Sequence, residues 1–132
     1  MNQNTRVYAN LSKRSYKNEA NGTTINGYEK IGYTNDTYGL YAAVYKHQQN
    51  KTLTIAYRGT NELKDWTTSN LRIGLGQVPL QLIKAQKFYD QMKQYADDHY
   101  LILEVTGHSL GGALATLIAA KNKCICLLVL VA

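Results

Sequence analysis

The residues with the clearest chemical potential in this 132-residue chain form the sequence Gly-His-Ser-Leu-Gly at positions 107–111. Residues 100–106 before them are largely apolar, with β-branched members, and predict a buried strand. Residues 113–120 after them are small and apolar on all sides and predict a buried helix. A serine with a glycine two positions away on each side, at a strand-to-helix turn, is typical of a nucleophile held in a strained conformation. Ser109 is therefore the predicted nucleophile.

The tightness of the turn explains why this nucleophile elbow has two glycines. A side chain at Gly107 or Gly111 would collide with neighbouring backbone. A helix that begins at Leu110 also directs free backbone N–H groups toward negative charge that forms near Ser109. His108 lies between the first glycine and the serine. The alternative is a glycine-rich helix start that merely packs closely on a strand, and the flanking strand and helix favour the elbow.

Two blocks of sequence resemble the class 3 (fungal-type) lipases, which are α/β-hydrolases. Residues 105–115, with the Gly-His-Ser-Leu-Gly-Gly core, resemble the active-serine segment of that family. Arg58-Gly59-Thr60 and the later Asp65-Trp66 resemble its Arg-Gly-Ser/Thr segment and the Asp-Trp that follows. The resemblance spans residues 38–120. It implies hydrolysis of lipid carboxylic esters without a cofactor or a metal, with a lipid or another ester as substrate.

The resemblance also implies roles for individual residues. Ser109 would attack the ester carbonyl, and the backbone N–H groups of Thr60 and Leu110 would bind the oxyanion, with help from the Thr60 hydroxyl. Without the downstream serine, Thr60 would be read as an ordinary turn residue.

Residues 61–70 occupy the place of a lid helix in the lipases that this chain resembles. Leu63 and Trp66 are three apart and would share one helical face, which covers a pocket at rest and meets a lipid surface when open. The other interpretation is a short surface helix pinned by a buried Trp66. The sequence leaves both interpretations open, and with them the question of transient contact with a membrane.

The remaining segments predict an α/β fold in which a mostly parallel sheet carries helices on both faces. Expected elements are an amphipathic helix over 5–17, a loop over 21–36, a hairpin of strands 40–47 and 52–57, an extended or strand segment over 71–78, a helix from Pro79 to about residue 98, and a buried parallel strand over 123–132. This arrangement corresponds to a partial α/β-hydrolase that ends just after the elbow helix and one further strand.

The acid and the base of a hydrolase triad are missing from their usual places. In this fold the triad runs Ser, then Asp or Glu, then His along the chain, but no Asp, Glu or His follows Ser109. His47, His99 and His108 are expected to lie out of reach of the serine, since two belong to the opposite ends of strands and the third adjoins the nucleophile. We therefore expect residues 1–132 to form a single truncated domain, the front half of a lipase. The alternative function is a catalytically inactive fragment or lipid-binding module.

The composition excludes few classes of binding partner. The chain is 45% hydrophobic with a net charge of +6, and its 15 basic residues are scattered, which favours solvated surface lysines over a nucleic-acid-binding patch. An apolar last strand would leave an open sheet edge that invites self-association. Cys124 and Cys126 are predicted to be free thiols. We recognise no signal peptide or transmembrane segment, so the localisation stays open between the cytoplasm and export without a signal.

Overall fold

A six-stranded sheet with helices on both faces organises the chain in a computed structural model, which describes residues 3–35, 39–58 and 68–130. The strands lie side by side in chain order. They are β1 (Thr24–Ile25), β2 (Tyr28–Asn35), β3 (Tyr41–His47), β4 (Thr52–Arg58), β5 (Ile102–His108) and β6 (Ile125–Leu130). The helices are α1 (Gln3–Arg14), α2 (Thr68–Asp98) and α3 (Leu110–Asn122).

The sheet is mixed, and the prediction of a mostly parallel sheet was wrong. The three pairings among β1, β2, β3 and β4 are antiparallel, whereas β5 pairs in parallel with both β4 and β6. Short turns can join only antiparallel neighbours, and a parallel pair needs a crossover. In the described chain, α2 and α3 supply those crossovers, so the parallel part is confined to the end of the sheet that carries the elbow.

Within the predicted loop over residues 21–36, β1 and β2 form a β-hairpin instead. Ile25 pairs with Tyr28 across a two-residue turn formed by Asn26 and Gly27. Both turn residues have positive φ, 54° and 84°, as the favoured hairpin turns require. The Asn-Gly pair was the sequence signal for this hairpin. Polar residues on the flanking strands concealed it, because Lys30 of β2 is buried at 2% exposure despite its charge.

Most other predicted elements are confirmed. The amphipathic helix is α1, which buries Leu11 against the sheet. The hairpin of β3 and β4 pairs His47 with Thr52 at its closed end and Tyr41 with Arg58 at its open end. The last strand, β6, pairs in parallel with β5 as predicted.

The segment over residues 71–78 was predicted to be extended, and it belongs to α2. This helix is continuous over 31 residues and contains Pro79, which was predicted to begin it. A short apolar run bounded by glycines does not by itself distinguish strand from helix, and that ambiguity produced the error. Beyond the proline, Gln81, Ala85, Phe88 and Tyr89 are buried. None of the described helices is long and apolar enough to cross a membrane.

Two apolar cores cover the two faces of the sheet. Along β3, Ala42 and Val44 face the larger core, which also contains side chains of α2 and α3. Tyr41, Ala43 and Tyr45 alternate with them and face the smaller core under α1, as the period of two in a strand requires. Helices therefore pack on both faces, as predicted, and the β5–α3 junction lies between the two cores.

Candidate nucleophile elbow

Ser109 alone connects β5 to α3. The strand ends at His108 and the helix begins at Leu110. The serine has φ 58° and ψ −124°, a conformation with positive φ that non-glycine residues seldom adopt. Such a conformation costs on the order of 1–3 kcal/mol and persists only where the surroundings impose it. The Ser109 side chain makes no capping hydrogen bond to α3, and the residue is half-buried.

The backbone around Ser109 is packed so closely that the flanking glycines have no room for a side chain. A Cβ on Gly111 would overlap the carbonyl oxygen of Tyr57 and lie 2.9 Å from the Cα of Arg58, both on β4. A Cβ on Gly107 would overlap the carbonyl oxygen of Gly111 and lie 2.7 Å from the next backbone nitrogen. β4, β5 and the start of α3 thus meet backbone to backbone, and this contact imposes the turn on Ser109.

The first turn of α3 presents backbone N–H groups beside the serine. The first hydrogen bond of the helix runs from the N–H of Ala113 to the carbonyl oxygen of Ser109, at 3.1 Å. The N–H groups of Leu110, Gly111 and Gly112 therefore have no acceptor within the helix. The positive end of the helix dipole adds to them. This arrangement can stabilise an anion formed at Ser109.

Three residues predicted for the site cannot be placed. Thr60, the second predicted oxyanion donor, and Leu63 and Trp66, the two candidate lid residues, lie outside the described residues. Their roles stay predictions.

Two of the three histidines lie at the opposite end of the sheet from Ser109, as predicted. His47 pairs with Thr52, which in turn pairs with Ile102 at the start of β5. His99 precedes that strand, with its ring stacked on Tyr95 at a centroid distance of 3.9 Å. The seven residues of β5 extend over roughly 20 Å before the serine is reached. Neither ring can accept a proton from its hydroxyl.

The third histidine, His108, is held on the α1 side of the sheet. The Tyr16 hydroxyl lies 3.5 Å from both Nδ1 and the carbonyl oxygen of His108, and the two rings meet edge to face with centroids 6.0 Å apart. Arg58, the cross-strand neighbour of His108, stacks its guanidinium on Tyr16 and on Tyr41, at 5.2 and 4.1 Å from their ring centroids. The sequence analysis placed Tyr16 on the predicted amphipathic helix over 5–17 and gave it no role in the site, whereas Tyr16 lies just beyond the end of α1.

A buried carboxyl group lies deeper on the same side of β5. Glu104 is 4% exposed, and its Oε1 accepts hydrogen bonds from the Thr54 hydroxyl at 2.9 Å and the Tyr8 hydroxyl at 3.1 Å. Burial raises the pKa of Glu104 above its ordinary value, although the two hydrogen bonds act in the opposite direction. The folded chain therefore holds the Glu104 proton more tightly than an exposed carboxyl group would.

This raised pKa makes the stability of the chain depend on pH. The folded state holds the Glu104 proton more tightly than the unfolded state, so the stability that Glu104 provides is complete in acid and falls as pH rises from near 4.5 through the raised pKa. Glu104→Gln keeps an acceptor for Tyr8 and Thr54 but cannot ionise. We expect the stability of the variant relative to the original chain to increase from pH 4 to pH 8. Urea unfolding of both proteins across that range measures this, and a constant difference would contradict it.

Comparison with known proteins establishes the family. The sequence model of a phospholipase-like family, the Tle-like phospholipase domain, matches residues 7–124. The chain belongs to this family. No curated protein sequence matches it significantly.

Solved lipases have the same fold as this Tle-like phospholipase domain. The lipase from Rhizopus microsporus var. chinensis aligns over 90% of the chain with a TM-score of 0.68 at 20% identity. Lipase II from Rhizopus niveus aligns over 90% with a TM-score of 0.65 at 19% identity. The Rhizomucor miehei lipase, in a complex with its propeptide, aligns over 87% with a TM-score of 0.57 at 26% identity. The aligned region covers 50%, 54% and 44% of those chains, so the phospholipase-like domain spans about half the length of the solved lipases.

Proposed function

We propose that this chain provides the nucleophile and the oxyanion donors of a hydrolase that cleaves lipid carboxylic esters. The elbow carries the proposal: Ser109 has positive φ between a buried strand and a helix N-terminus, and the glycines on either side of it have no room for a side chain. Membership of a phospholipase-like family and a fold shared with lipases support an ester of a lipid as the substrate.

In the proposed reaction, the Ser109 hydroxyl oxygen bonds to the ester carbonyl carbon while its proton passes to a base. The carbonyl oxygen becomes an oxyanion, which the N–H groups of Leu110 and Thr60 bind. Each such donor is worth about 3–4 kcal/mol in the transition state. Collapse of the tetrahedral intermediate expels the alcohol and leaves an acyl group on the serine, which water then removes.

A second candidate function concerns the 132 residues by themselves: a lipid-binding module without efficient turnover. The position of the histidines favours it. No Asp, Glu or His follows Ser109 in the sequence, and His47 and His99 lie at the far end of the sheet. A general base typically contributes 10²–10⁴-fold to such a reaction. We propose that no base within this chain reaches Ser109 and that turnover needs a base from elsewhere.

Covalent labelling with an alkyl fluorophosphonate, followed by intact mass spectrometry, tests both parts of the proposal. We expect one slow adduct per chain that maps to Ser109 and is lost in Ser109→Ala. Without a nearby base, the labelling rate should rise about tenfold per pH unit, because hydroxide must remove the proton. Added imidazole should accelerate labelling of the original chain and leave Ser109→Ala unlabelled.

The opposite outcomes are equally informative. An adduct that persists in Ser109→Ala, or no adduct at pH 10 on a folded sample, would contradict the assignment of the nucleophile. Rapid labelling that reaches a plateau near neutral pH would show that a base within the chain already reaches Ser109. It would refute the proposal that the base comes from elsewhere.

A further inference from the structure

Three polar pairs join α1 and the turn that follows it to β5, and they are here called the polar ladder. Its rungs are Tyr8 with Glu104, Ser12 with Thr106, and Tyr16 with His108. Four residues of a helix rise about 6.0 Å, and two residues of a strand extend about 6.6 Å. The two repeats match for the first two rungs, which lie on α1. Tyr16 lies two residues beyond the end of α1, in a tighter turn in which its N–H donates to the carbonyl oxygen of Lys13 at 3.1 Å. The last rung reaches the residue directly before the proposed nucleophile.

The geometry of the last rung favours one arrangement of the hydrogen-bond donors. The Tyr16 hydroxyl has one hydrogen, yet it lies at the same 3.5 Å from Nδ1 and from the carbonyl oxygen of His108. The arrangement that gives each contact its own hydrogen has Nδ1–H donating to the tyrosine oxygen while the hydroxyl donates to the carbonyl oxygen. The hydroxyl then bridges the side chain and the backbone of one residue. At 3.5 Å both bonds are at the outer limit of hydrogen-bonding distance.

Contacts on the other side hold the Tyr16 ring in place. The Arg58 guanidinium lies against this ring and donates from Nη1 to the carbonyl oxygen of Ser15, at 2.8 Å. Burial raises the pKa of Tyr16, with Arg58 acting in the opposite direction, so the phenol keeps its proton at neutral pH. The turn that follows α1 is thereby tied to β4 and β5 at the position where the elbow begins.

We propose that Tyr16 is a positioning residue for Ser109. By bridging the His108 side chain and carbonyl oxygen, it fixes the peptide that leads into the serine and helps to hold the elbow in its strained conformation. Its catalytic relevance rests on the proposed function of Ser109, whereas the bridge itself does not. Tyr16 touches no reacting atom and acts through His108.

The experiment compares two variants that each remove one phenol hydroxyl from the polar ladder. Tyr16→Phe removes the hydroxyl at the elbow rung, and Tyr8→Phe removes the one that bonds Glu104 at the far rung. In chain labelled with ¹⁵N, the two ring nitrogens of His108 report the ratio of its neutral tautomers, and the amide signals of Ser109 and Leu110 report the elbow. Each variant loses one phenol group of the same ladder, so Tyr8→Phe controls for a general loss of stability.

In Tyr16→Phe we expect the ratio of the Nδ1–H to the Nε2–H tautomer of His108 to fall about twofold, the factor at the low end of the range for one hydrogen bond, because the contact is long. The amide signals of Ser109 and Leu110 should move as well. Tyr8→Phe should leave these signals in place. An unchanged His108 tautomer in Tyr16→Phe, or an equal change in both variants, would overturn the proposal. Failure of the phosphonate to label Ser109 would remove the catalytic role of the serine without altering this spectrum, so the two proposals fail separately.

Discussion

Gly111→Ala is expected to lower the free energy of unfolding by at least about 3 kcal/mol, at or beyond the upper end of ordinary overpacking effects. The new Cβ would overlap the Tyr57 carbonyl oxygen and lie 2.9 Å from the Arg58 Cα, so it meets backbone on β4 rather than a flexible side-chain end. Relief requires α3 to move away from β4 or Ser109 to leave its conformation. Urea unfolding followed by circular dichroism measures the loss.

Gly32→Ala is the matched control for this substitution. Gly32 also lies in the sheet, on β2, but a Cβ there would meet only the Val44 Cγ1, at the ordinary contact distance of 3.6 Å. We expect its stability to remain within about 0.5 kcal/mol of the original chain. Similar losses in the two variants would mean that the elbow is no more tightly packed than an ordinary strand. If the fluorophosphonate labels Ser109 in Gly111→Ala as fast as in the original chain, the elbow tolerates displacement.

The turn at Ser109 could be predicted from the sequence because its sequence signals are local. The overlap that excludes a side chain at Gly107 involves Gly111, four residues later, and the strand and helix on either side have clear apolar patterns. The hairpin of β3 and β4 was predictable for the same reason. The close contact of Gly111 with Tyr57 and Arg58 of β4, in contrast, joins distant parts of the chain and was not predicted.

Other parts of the fold depend on partners that the sequence does not place side by side. Tyr16 and His108 are 92 residues apart, so a helical pattern around Tyr16 predicts its face but not what that face contacts. Lys30 was read as part of a polar loop, yet its Nζ is buried because it donates to the carbonyl oxygen of Glu19 and to the Tyr41 hydroxyl. The mixed sheet was missed because the hairpin of β1 and β2 was read as a loop.

Arg14 provides the second large expected effect: Arg14→Ala should lower the free energy of unfolding by about 3–5 kcal/mol, as expected when one partner of a buried ion pair is removed. Its Nε donates to both carboxylate oxygens of Glu19, at 3.0 and 3.1 Å, with side chains only 6% and 10% exposed. Its remaining nitrogens donate to the carbonyl oxygens of Tyr28 and Thr23 at 2.9 and 3.0 Å. The alanine variant would leave a buried carboxylate and two carbonyl oxygens without these donors.

Two further variants separate the geometry of this interaction from its charge. Arg14→Lys keeps the positive charge, but an ammonium group cannot serve Glu19 and both carbonyl groups from one planar fork, so it should recover only part of the loss. Lys93→Ala removes an ion pair of similar length, 2.9 Å to Asp97, whose side chains are 52% and 57% exposed, and should change stability by no more than about 0.5 kcal/mol. Full recovery in Arg14→Lys would show that charge alone stabilises the site. Equal losses in Arg14→Ala and Lys93→Ala would show that burial of the Arg14–Glu19 pair has no energetic consequence. Arg14 also ties the end of α1 to the hairpin of β1 and β2, two residues before Tyr16. If Arg14→Ala remains folded, it should therefore also lose the contact between Tyr16 and His108.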